Sequence, residues 1–285
     1  MFGIMGTDAA FAQAACAKKK EILDILQFKC GVADPNIYQV SCIGTINVIS
    51  EKNGEIVEAT YTDLNDSQLS ISADADTNIK IIGTVVKFNA MYYSNPQLKE
   101  INLLESKNIT YIGVPNATNL SSLDLSANTA LTDLYCFGCT GLTALDLSAN
   151  IALTNLECGY TGITALDLSD NTELTSLNCN SCTGLTALDL SANTALSSLN
   201  CNGCTGLTAL DFSTNTALTS LSCENCDGLI SIKYPATNDD VSTAVADAIT
   251  NATAADGTVY TDSAAAYYST ISTAATAKGW TIEQL

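Results

Sequence analysis

The chain has 285 residues, 47% of them apolar and only 14% charged, with 30 acids against 11 bases and a net charge of −19. All 11 bases are lysines, because neither arginine nor histidine occurs anywhere. So acidic a chain repels phosphate backbones, which argues against nucleic acid as a partner, and without histidine there is no Ser-His-Asp or Cys-His catalysis, no His-ligated zinc and no imidazole switch.

From the N terminus, no signal peptide is visible. Asp8 interrupts the apolar opening, and Lys18-Lys19-Lys20 follows the small residues instead of preceding them. No window of about 18 apolar residues offers a membrane span. Asp8 is placed to cap a helix running to about Lys29, with Phe11, Ala15, Ile22 and Leu26 on one side. Residues 46–49 and 56–61 flank Glu51-Lys52-Asn53-Gly54 and predict a β-hairpin. Residues 79–82 and 85–88 predict two lead-in strands. An uncapped repeat array would expose a raw apolar end, so residues 1–84 read as a helix and hairpin that cap the array and attach it. Cys16, Cys30 and Cys42 lie in this region, and their redox state is not set by the sequence.

The next segment is a repeat. Leu98, Ile109, Leu120, Leu131, Leu142, Leu153, Ile163, Leu174, Leu185, Leu196, Leu207, Leu218 and Leu229 recur at intervals of 11, except for one interval of 10 between Leu153 and Ile163. Alternate half-repeats differ, so the full period is 22. One half reads Leu185-Thr186-Ala187-Leu188-Asp189-Leu190-Ser191-Ala192-Asn193, and the other Leu196-Ser197-Ser198-Leu199-Asn200-Cys201-Asn202-Gly203-Cys204. Both fit L-x-x-L-x-L-x-x-N/C, the leucine-rich-repeat signature. Apolar positions 1, 4 and 6 of each half point inward, and positions 3 and 5 point outward on a short strand. The Asn at position 9 is expected to turn inward and satisfy backbone groups of the neighbouring coil. The predicted fold is therefore a mainly β, α/β leucine-rich-repeat solenoid over residues 85–234, in 22-residue coils.

Beyond Leu229 the period stops. Asn238-Asp239-Asp240 can start a helix with Val241, Val245, Ala248 and Ile249 on one face. Thr258–Thr261 predicts a strand. A second helix through Tyr267, Ile271 and Ala275 stops at Gly279, before a strand at 280–282. Residues 235–285 thus form a C-terminal cap.

The alternation of L-x-x-L-x-C with L-x-x-L-D-L-S-x-N-T-x-L resembles the cysteine-containing repeats of internalin-J-like surface proteins and related repeats of gut bacteria, over about residues 98–234. The resemblance implies a right-handed solenoid whose cysteine-bearing strands line a concave sheet used in adhesion or protein recognition. The family usually keeps Asn three residues after the Cys. Here Cys139, Cys182, Cys204 and Cys226 stand in that place, and the short coil after Cys158 offers Tyr160 or Thr161. The tail, with Lys278-Gly279-Trp280-Thr281-Ile282, resembles the ends of repeat-bearing proteins encoded by phages and prophages of gut bacteria.

Two residue sets invite a metal. Cys182 and Cys201, like Cys204 and Cys223, bound 18-residue gaps between C-x-x-C pairs, which formally fits a zinc spacing. Zinc needs thiolates that converge, whereas side chains on stacked coils run parallel. Nine of the twelve cysteines fall in phase with the leucines, and the expectation is packed, reduced, metal-free thiols. Asp124, Asp146, Asp167, Asp189 and Asp211 occupy one outward position on successive coils. Carboxylates about 5 Å apart repel by roughly 0.8 kcal/mol in water. One Asp per coil lacks the clustered ligands of a dedicated calcium site, so a solvated column is expected, and no cofactor.

The outward positions of the cysteine-side strands are the candidate binding face: Asp133, Tyr135, Asn155, Glu157, Ser176, Asn178, Ser198, Asn200, Ser220 and Ser222, beside Thr132, Thr154, Thr175, Ser197 and Thr219. Such a face can hydrogen-bond a glycan or a polar protein surface, and its hydroxyls and amides equally keep the repeat soluble. The expected function is a non-enzymatic recognition or adhesion module on a cell surface or virion. The alternative is a structural phage component whose termini dock into an assembly, with homo-oligomer or virion partners at the N-terminal region.

Overall fold

The computed structural model describes residues 25–30, 36–52, 55–73, 78–89, 98–103, 106–233, 242–253, 255–261 and 268–284. The chain divides into two compact units, Met1–Leu142 and Thr143–Leu285.

The first unit opens with β1 (Ile25–Cys30), β2 (Asn36–Lys52), β3 (Glu55–Ala73) and β4 (Asn78–Asn89), followed by β5 (Leu98–Asn102), β6 (Tyr111–Gly113) and β7 (Asp133–Tyr135). The predicted hairpin is present and far longer than its apolar runs required, because β2 and β3 stay paired from Lys52↔Glu55 to Asn36↔Ala73. The two expected lead-in strands are a single strand, β4. Its first part lies antiparallel between β1 and β2, and its last residues Lys87, Phe88 and Asn89 pair parallel with Tyr111, Ile112 and Gly113 of β6. So β4 converts an antiparallel sheet into the parallel stack that the coils continue, with β6 pairing parallel to β7.

The helix expected to reach Lys29 is corrected at its end, since Ile25–Cys30 is a strand paired antiparallel with β4 on one side and β5 on the other. Ile25-Leu26-Gln27-Phe28-Lys29-Cys30 alternates with period two as well as fitting a helical face, and pairing on both edges decides for the strand. The rest of that expected helix, with Cys16, lies outside the described residues.

In the second unit the cysteine-side strands β8 (Asn155–Glu157), β9 (Ser176–Asn178), β10 (Ser198–Asn200) and β12 (Ser220–Ser222) stack in parallel. The aspartate side is mostly extended chain without ladder pairing. Its regular strands are β11 (Ala209–Asp211) and β13 (Ser231–Lys233), and an isolated bridge joins Asp189 to Asp211. Every phase-setting residue from Leu98 to Leu229 is buried, as are all nine repeat cysteines. A fully buried Leu contributes about 1.5–3 kcal/mol, so several inward apolar residues per coil carry a stack with few charges. This is a leucine-rich-repeat solenoid, mainly β.

The tail extends the aspartate side. After β13 the chain makes α1 (Ser242–Asn251), β14 (Thr258–Thr261), α2 (Tyr268–Lys278) and β15 (Thr281–Gln284), with β11, β13, β14 and β15 side by side and parallel. The helix–strand–helix–strand order matches the sequence expectation. Val245, Ala248 and Ile249 of α1 and Ile271 and Ala275 of α2 are buried; the expected Val241, Tyr267 and 238–240 cap lie outside the described residues. Gly279 ends α2 with φ +83°, the left-handed C′ conformation that glycine adopts without a Cβ clash.

Candidate functional site

Each coil turns two corners, and its chemistry begins there. At the aspartate-side corner the position-9 asparagine is fully buried. Asn128 Nδ2 donates to Leu103 O at 3.0 Å and Ser106 O at 2.8 Å. Asn171, Asn193 and Asn215 repeat the arrangement, each giving both amide hydrogens to carbonyls of the preceding coil at 2.8–3.1 Å. The inward turn expected of this residue is thus present as geometry.

At the cysteine-side corner the second cysteine of each pair takes the corresponding place. Cys139 Sγ donates to Val114 O at 3.0 Å, Cys204 Sγ to Cys179 O at 3.1 Å and Cys226 Sγ to Cys201 O at 3.1 Å. In the shortened coil the residue in that place is Thr161, not Tyr160. Its hydroxyl donates to Cys158 O at 2.7 Å and lies 3.3 Å from the Cys182 thiol. The nine repeat cysteines are free thiols, and among the described residues no three Cys, Asp or Glu side chains gather as metal ligands would.

Burial raises the Cys139 thiol to about 11. It also pushes Cys223 up, whereas Cys179 and Cys201 are raised first by their hydrogen bonds with the Cys204 and Cys226 thiols and then by burial. Two thiols depart from the uniform rise that burial alone predicts. The Cys158 thiol, against opposing burial and with help from the Thr161 hydroxyl, holds Cys182 down to about 6, and the Cys201 thiol lowers Cys226.

The aspartate column is solvated and locally satisfied. Asp146 Oδ1 accepts from Ser148 N at 3.0 Å and Ser148 Oγ at 2.7 Å, and Asp124, Asp167 and Asp211 repeat both contacts. These serine hydrogen bonds hold Asp146, Asp167 and Asp189 below the ordinary carboxylate range, against slight desolvation and, for Asp167 and Asp189, repulsion from neighbouring aspartates. For Asp211, desolvation acts upward and is outweighed by Ser213 and by Lys233, whose Nζ lies 3.0 Å from Asp211 Oδ2.

The ten candidate binding residues all lie on the outward side of cysteine-side strands, separated by the buried Leu134, Leu156, Leu177, Leu199 and Leu221. In the second unit they form two columns in register, Asn155–Ser176–Ser198–Ser220 and Glu157–Asn178–Asn200–Ser222. Asn178 Oδ1 accepts from Asn180 N at 3.2 Å, and Asn200 Oδ1 from Asn202 N at 3.1 Å. These bonds pin each side chain at its strand end by its oxygen, with the NH2 group left over. Desolvation raises the Glu157 carboxyl, which stands first in its column in this unit.

In the first unit Asp133 and Tyr135 have neighbours that the sequence reading missed. Asp133 lies in register with Tyr111 and Lys87, and Tyr135 with Gly113 and Asn89. The Tyr111 and Tyr135 rings stack with centroids 5.2 Å apart and planes at 30°. Tyr111 sits two residues after the in-phase Ile109 and 22 before Asp133, so the period itself could have found it. Tyr160, 49% exposed at φ +55°, was also missed; its position two residues after Cys158 is the left-handed one that Gly138 and Gly203 occupy in other coils.

No protein-family profile matches the sequence, and no curated protein does. Among solved structures, the functional domain of InlJ from Listeria monocytogenes, described as including a cysteine ladder, is similar over 74% of this chain and 56% of that one, at 23% identity and a TM-score of 0.33. An internalin, InlF, from Listeria monocytogenes str. 4b F2365 is similar over 62% of this chain and 60% of that one, at 20% identity and a TM-score of 0.35. The chain thus spans somewhat over half the length of these solved chains. The repeat assignment rests on the chain's own corners, registers and buried leucines.

Proposed function

We propose that the chain is a non-enzymatic recognition module, displayed on a bacterial or virion surface, that binds protein or glycan through the outward face of its cysteine-side strands. The observation that carries this reading is the pair of in-register columns ending in Glu157, Asn178, Asn200 and Ser222. A rigid parallel sheet sets amides and hydroxyls at about 4.8 Å spacing, and residues on rigid elements lose little entropy when a ligand engages them. The missing histidine and arginine leave this face without a general base near neutral pH or a guanidinium clamp. In this reading residues 1–84 attach the module to homo-oligomer or virion partners, residues 85–234 present the face, and residues 235–285 close the array. No helix among the described residues is long and apolar enough to cross a membrane.

The test is a glycan and surface-protein array probed with the whole chain and with the Asn178→Ala plus Asn200→Ala variant. The expected result is a ligand whose binding weakens about tenfold or more in the variant. Unchanged binding would remove these columns from the site.

A further inference from the structure

The repeat cysteines differ in what they face. Where a coil has two, the first directly follows the cysteine-side strand and the second stands three residues on, at the corner. In the second unit the corner thiol reaches back to the first cysteine of the preceding coil. Cys182 Sγ lies 3.2 Å from Cys158 O, Cys204 Sγ 3.1 Å from Cys179 O and Cys226 Sγ 3.1 Å from Cys201 O. Within each of these three pairs the two thiols also hydrogen-bond each other. All six are buried, and the partners are 24 or 25 residues apart in the chain.

The other three cysteines meet different chemistry. Cys139 Sγ makes the same backbone contact, 3.0 Å from Val114 O, but the side chain at that place is a valine. The shortened coil carries Thr161 in place of a corner cysteine, so the sequence gives Cys136 no corner cysteine one coil on. Cys223 Sγ lies 3.5 Å from Ala244 O of α1. A disulfide needs two sulfurs brought to about 2.05 Å, and only a pair that the fold already holds in contact meets that demand without rearranging the stack.

We infer that Cys158–Cys182, Cys179–Cys204 and Cys201–Cys226 are modification sites, three dithiols that a small hydroperoxide oxidises to disulfides, tying four successive coils together. Cys182 reacts first. The Thr161 hydroxyl, 3.3 Å from its sulfur, and the Cys158 thiol favour its thiolate, the form that attacks a peroxide. With hydrogen peroxide, the Cys182 sulfur takes one oxygen as the O–O bond breaks, giving a sulfenic acid, and the other oxygen leaves as water. The Cys158 sulfur then displaces the sulfenic hydroxyl: the S–S bond forms, the S–O bond breaks, and the hydroxyl leaves as a second water with the Cys158 proton. Two thiols are oxidised by two electrons and one peroxide is reduced to two waters. The oxidant reaches the buried sulfurs through brief local opening of the stack, and in an oxidising compartment the bonds persist. Cys158, Cys179 and Cys201 directly follow Glu157, Asn178 and Asn200, so the cross-links fix the coils that carry those columns.

The test starts from the whole chain, fully reduced, then held in hydrogen peroxide under native conditions. Free thiols are blocked with iodoacetamide after unfolding, and the bridges are mapped by non-reducing tandem mass spectrometry. The expected products are the three named bridges, Cys158–Cys182 first, with Cys136, Cys139 and Cys223 recovered as alkylated thiols. The melting temperature should rise by about 5 °C or more and fall back on reduction with dithiothreitol. Cys182→Ala should remove the bridge to Cys158 and leave the other two. Val114→Cys, a small change at a buried position, should add a fourth bridge to Cys139, whose sulfur already lies against that residue's carbonyl; this variant gains a bond, so its reading does not depend on a damaged fold. Bridges between cysteines at the same position of successive coils, such as Cys179 and Cys201, would overturn the pairing. Sulfinic acids without bridges, or oxidation of these thiols only once the chain is unfolded, would overturn the inference outright.

Discussion

The two corners of a coil close the same gap with different chemistry. At the aspartate corner Asn193 gives two hydrogen bonds, to Leu168 O and Asn171 O; at the cysteine corner of the next half-repeat Cys204 gives one, to Cys179 O. The amide corner satisfies two buried carbonyls with strong donors, whereas the thiol corner fills volume with an apolar atom and spends one weak S–H. The asparagine corner thus fixes the stack, and the cysteine corner makes its interior dry.

The largest effect expected from this contrast is on stability. Asn193→Ala removes the second donor from Leu168 O and Asn171 O, which keep the backbone N–H groups of Asn171 and Leu174, and should cost about 1–3 kcal/mol in urea unfolding. Cys204→Ala should cost about half as much, since it loses one weak bond and a small volume. Equal losses would mean that the two corners do the same work.

Next comes pH. Burial raises Cys139 and Cys223, and the Cys204 and Cys226 thiols together with burial raise Cys179 and Cys201, so the fold favours these four neutral thiols. The sign follows from linkage: this stabilisation is complete below the unfolded thiol pKa, 9.0, and for Cys139 is lost as pH rises through about 11. Melting temperature should fall steeply between those values, and a flat profile would contradict a dry cysteine interior. At the acid end the lowered aspartates contribute the reverse dependence, lost as pH falls through their depressed pKa values.

A smaller, more local effect is thiol reactivity. The nine repeat cysteines should alkylate slowly in the native state and become reactive together on unfolding, with chelator leaving the melting temperature unchanged. Among these thiols Cys182 should be the first modified in the native state, because the Cys158 thiol and the Thr161 hydroxyl favour its thiolate in the folded coil. Peptide mapping after a short iodoacetamide pulse would show it, and labelling of Cys201 ahead of Cys182 would sink this ranking. Smallest of all, Lys233→Ala should cost roughly 0.5 kcal/mol and less at high salt, because its pair with Asp211 is half exposed.

The repeat was legible because an 11-residue leucine phase and inward asparagines leave a stacked coil as the way to bury both. The tail was legible for a similar reason: Val245, Ala248, Ile249, Ile271 and Ala275 mark helix faces, and Gly279 marks a stop. The N-terminal region was less so. Ile25–Cys30 satisfies helical and strand periods together, and only β4 and β5, distant in sequence, choose between them. The candidate strands were placed correctly, but the stacked ring pair was not seen. Tyr111 is in phase, yet its stacking on Tyr135 a coil away depends on the space that Gly113 leaves, and a one-dimensional pattern does not show that two rings meet.

The shortened coil has one more consequence. Ser198 pairs with Ser176 across 22 positions, but Ser176 pairs with Asn155 across only 21, and the sheet continues in register. The missing residue comes out of the bend between Thr161 and Ile163, where other coils carry one more, as Cys139-Thr140-Gly141-Leu142 does. Length is therefore not what one coil inherits from the next; the inward phase is. A single deletion at that bend is silent to every neighbour, whereas the same deletion inside Asn155–Glu157 would turn every inward side chain of that strand outward. At this bend the array tolerates a change of length while its faces stay aligned.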